Sequence, residues 1–429
     1  MRLKSQYCQS KHTPINTFIF IESKGEPGPS VSPNFPCNHF STTMADNASN
    51  KRPKAITGGG TASEISPAAE LISSNADLLT EIFLRLPAKS LLRFKSVSKH
   101  WLSLITHSQF STSHSIRNPR PSISGLYFYT QGRLESVSFH GRQNLPSLAI
   151  AVNGSKPRIL HSCNGLLLCK AGSRSESIYI VCNLTTQKYK LVPKPTGLSY
   201  RLYVRRGAYL AFDPSKSPHY KVVLGSRYSA SKHEPWCFEI DMYDSETGNW
   251  KKILPPSTCC GRGVFWNGAI HWLSYKKVLL RFEVDAEMMV ALPLPRRSPR
   301  ILPQNCVKYF GECGGGLILI QTRSLKDTRF AILEWGSDPS RWIVKYLVNR
   351  RTIASVFPAM KFFEIYVLCV VKGEDKEDYK LVLSIQEKAI SYNLKCNTFD
   401  VLRDLVPGAL LDHNENCYSY PFAETLSPV

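Results

Sequence analysis

From about residue 120 to residue 429 the chain is cut into short apolar runs, each closed by Gly, Pro, Asn or Ser. Gly165-Leu166-Leu167-Leu168, Leu317-Ile318-Leu319-Ile320 and Tyr366-Val367-Leu368-Cys369-Val370-Val371 are examples. This punctuation favours strands, and no long stretch keeps a 3.6-residue period. Apolar strands near 166, 222, 269, 317 and 368 fall roughly 50 residues apart. Units of that length with four short strands each are what propeller blades show, so this part of the chain has room for about six.

A second pattern rides on the first. An aromatic or Cys is followed by Asn or Asp, then by Thr or a substitute, then by an aromatic. Cys182-Asn183, Thr186 and Tyr189 make one copy, and Tyr243-Asp244, Thr247 and Trp250 another. Tyr392-Asn393, Cys396 and Phe399 make a third, while Trp335 and Trp342 keep only the outer spacing. The carboxamide or carboxylate closes a turn by accepting from backbone N–H groups. The later aromatic is expected to pack back between neighbouring sheets. A plain hairpin in a β-sandwich would share these features.

Residues 75–110 have a different period. Leu78, Leu79, Ile82, Phe83 and Leu86 fall on one helical face, with Asn75 or Asp77 placed to cap it. Pro87 ends that helix and suits the first turn of the next, whose apolar face is Leu91, Leu92 and Val97. Ser98 is a cap for a third helix carrying Trp101, Leu104 and Ile105. Three short helices make a small core, so some apolar side chains belong against a partner or against the rest of the chain.

The stretch from Asp77-Leu78-Leu79-Thr80-Glu81-Ile82 through Leu86-Pro87-Ala88-Lys89-Ser90-Leu91-Leu92-Arg93-Phe94 to Val97-Ser98-Lys99-His100-Trp101 resembles the plant form of the F-box. Many members place Leu-Pro ahead of the first helix, where this chain has Ser74-Asn75. The β region resembles the plant F-box-associated, kelch-like domains. It does so in His161-Ser162-Cys163-Asn164-Gly165-Leu166-Leu167-Leu168-Cys169, Ala211-Phe212-Asp213-Pro214, and Phe265-Trp266-Asn267-Gly268-Ala269-Ile270-His271-Trp272. The resemblance implies a small all-α F-box followed by an all-β, propeller-like domain. The expected division is an N-terminal extension without a core (1–70), the F-box (71–115), the β repeats (120–410) and a C-terminal tail (411–429).

It also implies a role. An F-box docks on a Skp-type adaptor and through it on a cullin, so the chain would be the substrate-recognition subunit of an SCF-type ubiquitin ligase, without catalysis or cofactor of its own. Carried over by position, Leu78, Leu79, Ile82, Leu86, Pro87, Leu91, Leu92, Val97 and Trp101 face the adaptor or support the face that does. Phe83, Trp101 and Ile105 lean toward the bundle core.

Composition narrows the partner. Lys plus Arg number 54 against 33 for Asp plus Glu, a net charge of +21. Residues 121–300 hold +14 of it, while 301–429 are neutral. Arg201, Arg205 and Arg206 flank Tyr200 and Tyr203, and Arg296, Arg297 and Arg300 lie in a Pro-rich stretch. These arginines are candidates for gripping an acidic or phosphorylated target. The alternative is a basic nuclear protein with an auxiliary F-box, drawn from the same charge and from Lys51-Arg52-Pro53-Lys54. No nucleic-acid motif supports it. No nucleophile elbow, phosphate loop or metal-ligand pair appears, and His271 between Ile270 and Trp272 reads as packed rather than ligating. The basic start lacks an apolar h-region, the 13 cysteines include no CxxC pair, and no apolar run reaches 18 residues. The expected setting is cytoplasmic or nuclear, away from membranes, with reduced thiols. Met44 is a plausible alternative start.

Overall fold

A computed structural model describes residues 71–429 apart from short segments, the longest being 295–306 and 407–418. The extension expected over 1–70 lies outside the described residues. Helices α1 (Ala76–Phe83), α2 (Ala88–Phe94) and α3 (Lys99–Thr106) stand where the apolar spacing places them. The helix α4 (Ser108–Arg117) is additional. Its Ser- and His-rich sequence shows no apolar stripe, yet it buries Phe110, His114 and Ser115. His114 Nε2 lies 2.8 Å from the Leu86 carbonyl, and Asn118 Nδ2 donates to the Leu84 carbonyl at 3.1 Å. One aromatic, Phe110, anchors this helix in the bundle core, and polar bonds to the carbonyls just after α1 do the rest.

The rest of the chain is a six-bladed β-propeller. The first blade joins β1 (Ile123–Thr130) and β2 (Arg133–Ser138) to β23 (Ser419–Ala423), in the order β2-β1-β23. The second is β3 (Arg158–Cys163), β4 (Leu166–Ala171), β5 (Ile178–Asn183) and β6 (Lys188–Val192). The third is β7 (Leu202–Ala211), β8 (Lys221–Ser229), β9 (Cys237–Asp244) and β10 (Trp250–Ile253). The fourth is β11 (Gly263–Trp266), β12 (Ala269–Leu273), β13 (Val278–Glu283) and β14 (Met288–Pro293). The fifth is β15 (Val307–Cys313), β16 (Gly316–Gln321), β17 (Arg329–Trp335) and β18 (Ile343–Asn349). A helix, α5 (Arg350–Val356), leads to the sixth, β19 (Ile365–Lys372), β20 (Tyr379–Ile385), β21 (Lys388–Asn393) and β22 (Thr398–Asp404). Every pairing is antiparallel between neighbours.

The innermost strands β3, β7, β11, β15, β19 and β23 touch in succession and close the ring. Closure corrects one expectation. The described part of the expected C-terminal tail (411–429) is not free, because Ser419–Ala423 supply the inner strand of the first blade, with Leu126 opposite Pro421 and Tyr127 opposite Tyr420. Thr425, Leu426 and Ser427 beyond it are buried too. A propeller whose first blade lacks its inner strand leaves an open edge, and an edge recruits the strand that covers it.

The recurring residues explain the hairpins. Asn164-Gly165 and Asn267-Gly268 turn from inner to second strand with φ positive at both positions, the two-residue turn that matches strand twist. Asn183 Oδ1 accepts from Thr185 and Thr186 N–H, and Asn393 Oδ1 from Lys395 and Cys396 N–H. Asp244 Oδ1 accepts from Glu246 N–H. The aromatic seven residues on pairs across its own hairpin: Tyr392 stacks on Phe399 at 4.3 Å, and Tyr243 meets Trp250 at 5.4 Å. Trp250 also reaches the neighbouring blade, donating to the Pro193 carbonyl. The thiols of Cys163, Cys169, Cys182, Cys313 and Cys369 are free and buried.

Candidate functional site

Two surfaces carry the functional reading, one on the helices and one on the propeller. Asn75 caps α1, its Oδ1 accepting from Asp77 and Leu78 N–H at 3.0 Å, and Ser98 caps α3 through Trp101 N–H. These caps fix where each helix starts and therefore which side chains face outward. Inside the bundle, Phe83, Phe94 and Trp101 form a ring cluster with centroids 4.9 to 5.9 Å apart. Leu79, Leu91 and Ile105 are fully buried beside it.

The nine residues expected at the adaptor therefore separate. Leu79 and Leu91 sit in the bundle core, and Trp101 is half-buried against Phe83. Leu86 and Leu92 pack onto the same core and, with the exposed Pro87, line a cleft between the helices and the propeller. Leu78 and Ile82 on α1 remain 44% exposed each, and Val97 is 59% exposed. Leu102 on α3, also 45% exposed, was absent from the sequence expectation.

The join between bundle and propeller was illegible in the sequence. After β23 the chain runs into the helices: Leu426 is buried in the helical core, and Ser427 Oγ lies 2.9 Å from Ser115 Oγ of α4. Asn183, whose Oδ1 closes its own turn, donates from Nδ2 to the Thr425 and Ser427 carbonyls at 3.0 and 2.8 Å. Thr425 N–H donates to Thr185 Oγ1, and a Cβ at Gly165 would collide with Thr425. Lys89 of α2 approaches Glu424 at 3.9 Å.

This join orients the ring. The Asn164-Gly165 and Asn267-Gly268 turns, where inner strands end, share the cleft with Leu86 and Pro87. The inner strands therefore begin on the opposite, free face. A central cavity of about 1060 Å³ runs between the inner strands, lined by Arg158, His161, Tyr209, Arg262, Tyr309 and Glu312 among others. Among the sequence candidates for target binding, Arg205 and Arg206 lie on β7, an inner strand. Arg201, Arg296 and Arg297 lie outside the described residues.

Family models agree with both halves. Residues 76–112 match the F-box domain, and 131–308 match the F-box associated beta propeller domain. The Arabidopsis thaliana protein named "F-box protein At5g07610" is 32% identical over 394 residues, covering 81% of this chain and 90% of its own. The chain belongs to the plant F-box proteins with a C-terminal F-box-associated propeller. A second relative from Arabidopsis thaliana, "F-box protein At5g49610", is 27% identical and covers 66% of this chain and 81% of its own. An F-box protein of this architecture is a substrate-recognition protein. No described helix is long and apolar enough to cross a membrane.

Two buried imidazoles give the propeller an acid limit. His161 in the channel accepts the Leu210 N–H on Nδ1 at 3.2 Å, so Nε2 carries the proton toward the Gly263 carbonyl at 3.0 Å. Burial, helped by the Arg262 cation, lowers its pKa to about 4. His271, wedged between the Trp266 and Trp335 rings, is lowered to about 4 by burial and by Arg281. The unfolded chain takes these protons near pH 6.5 and the folded chain only near 4. Stability is therefore complete above 6.5 and falls as the pH drops from there toward 4, by roughly 2–3 kcal/mol per ring. Urea midpoints at pH 7.5 and 5 should differ accordingly, and the difference should shrink in His271→Phe. An identical drop in wild type and variant would assign the acid sensitivity elsewhere.

Proposed function

We propose that this protein is the substrate receptor of an SCF-type cullin–RING ubiquitin ligase. The helical bundle binds a Skp-type adaptor, and through it a cullin, by the exposed face built from Leu78, Ile82, Val97 and Leu102. The propeller's free face holds the target protein. The observation that carries this reading is the split among the apolar F-box residues: Leu78, Ile82, Val97 and Leu102 remain 44–59% exposed while Leu79, Leu91 and Ile105 are buried, although a small bundle has every reason to cover them. The protein's contribution to rate is proximity, since it brings target lysines near the charged ubiquitin carrier without itself reacting. The basic stretch 121–300, including Arg201, Arg205, Arg206, Arg296 and Arg297, favours an acidic or phosphorylated target.

The test has two arms. Purified protein should retain a Skp-type adaptor on a column. In cells, affinity capture under proteasome inhibition, compared with a chain lacking 75–110, should yield proteins that bind both forms and accumulate only with the second. Failure of the full chain to bind any adaptor would overturn the reading. Binding of random-sequence RNA at low salt with a steep salt dependence would support the nucleic-acid alternative.

A further inference from the structure

Among the described residues, five blades have four strands and the first has three. Its sheet stops at β2, one strand short of its neighbours. The cause lies in the crossing that follows. β2 ends at the F-box side of the ring and β3 begins on the free side, so the chain must cross back between them. In the other blades the fourth strand makes that crossing. Here residues 144–152 make it outside the sheet. Leu145, Leu148, Ile150 and Val152 pack onto the core shared by the first two blades, and the Tyr127 hydroxyl donates to the Pro146 carbonyl at 2.5 Å. The described bridge of this segment joins Val152 to Ser155, not to β2.

The open edge is defined atom by atom. Gln131 and Gly132 form the two-residue turn between β1 and β2, both with positive φ, so Thr130 and Arg133 are a hydrogen-bonded pair. Alternation then turns the N–H and C=O of Arg133, Glu135 and Val137 toward β1, and those of Leu134, Ser136 and Ser138 away from it. Two bonds agree. Phe139 N–H, next in the inward series, donates to Ser124 O at 2.9 Å. Ser136 O, in the outward series, accepts from Arg403 Nη1 of β22, whose guanidinium also lies 3.5 Å from Glu135. No described strand pairs with the outward groups. A single side chain, itself 44% exposed, holds one carbonyl, and the rest of the edge is a template for one more strand.

The chain carries a segment of matching pattern. Ile15-Asn16-Thr17-Phe18-Ile19-Phe20-Ile21 is β-branched or aromatic at every position but Asn16, without charge, Pro or Gly. Ile15, Ile19 and Ile21 fall on one strand face and Phe18 and Phe20 on the other, as a strand wedged between two blades needs. No other run in 1–70 is as rich in these residues, and the composition there offers no core to bury them. Residues 22–70 span about 160 Å at most, against a radius of gyration of about 20 Å for a ring of this size, so length allows the run to reach the rim. We infer that residues 15–21 add to the outer edge of β2 as the fourth strand of the first blade. A chain read from Met44 lacks that strand, so the two starts give different rims, and only the shorter leaves this edge to an extended segment of another chain.

Hydrogen exchange tests this on three chains: the full one, one beginning at Met44, and the full one carrying Ile19→Pro with Phe20→Pro. One of two neighbouring positions must donate to the ladder, so the paired prolines remove a bond in either register. In the full chain the amides of Leu134, Ser136 and Ser138 should exchange at least about tenfold more slowly than in the other two. A peptide of residues 13–23, with lysines added at both ends, should restore protection to the Met44 chain, and its proline version should not. Unchanged protection of β4 across the three chains shows that the ring is intact. Fast exchange in all three would overturn the inference and leave the edge to a partner strand. Slow exchange in either altered chain would overturn it too, and protection that rises with the concentration of the Met44 chain would assign the edge to a second copy. Equal rescue by the two peptides would overturn the role of residues 15–21. None of these readings depends on an adaptor or a target.

Discussion

The pair Leu78→Glu and Ile82→Lys is expected to lower affinity for a Skp-type adaptor by about a thousandfold while leaving the fold in place. Both side chains are nearly half exposed on α1, one turn apart. Losing two such apolar contacts costs about 2 kcal/mol each at a buried interface, and desolvating the new charges adds to it. The charges are chosen to spare the helix. Glu near the start and Lys near the end suit the helix dipole, and the two form an i,i+4 pair. Leu91→Ala is the control: it empties a fully buried position, costs about 2–5 kcal/mol of stability and weakens binding only through unfolding. Surface-based binding measurements beside thermal melts distinguish them. A double variant that binds as well as wild type would move the adaptor face to Leu86, Pro87 and Leu92, and the cleft they share with the propeller would then have to open.

Ending the chain at Tyr418 is expected to abolish cooperative unfolding of the propeller. That cut removes β23 and with it Tyr420 and Phe422, both buried, the second packed edge-on against Tyr127 at 5.9 Å. It also takes Leu426 out of the helical core. Emptying each of three such sites costs about 2–5 kcal/mol, and the sum approaches the whole stability of a typical domain, about 5–15 kcal/mol. Ring closure and the cover over β1 are lost besides. Ending the chain at Ala423 instead keeps the ring and should loosen the helices and the Asn183 turn of the second blade that Thr425 and Ser427 hold. Calorimetry of the two truncations separates closure from tethering. A sharp transition in the shorter one at the wild-type temperature would show that the sixth and first blades hold each other without β23.

What the sequence disclosed follows from which forces are local. Asn164-Gly165 and Asn183 with Thr186 announce their hairpins because turn geometry is set by neighbouring residues. The 50-residue recurrence announces the blades for the same reason. The F-box helices were legible because Leu78, Ile82, Leu91 and Trp101 fall at helical intervals. Whether each faced core or solvent was not, since Leu78 and Leu79 differ by one step around the helix and only tertiary packing decides between them. The role of Ser419–Ala423 was hidden because its partner, β1, lies far away in sequence. α4 escaped because it has no apolar stripe: Phe110 alone enters the core, and polar bonds to the Leu84 and Leu86 carbonyls hold the rest.

The first blade also sets a schedule for synthesis. β1 emerges early, but its partner Pro421 follows Leu126 by about 300 residues, a wait of some 15 to 60 seconds at ordinary elongation rates. During that interval β1 presents an apolar edge with Leu126 and Phe128, and the helical bundle lacks the leucine at 426 that completes its core. A nascent chain in that condition is a client for chaperones, and a ribosome stalled before residue 419 would release a product whose adaptor-binding helices are present while its ring stands open.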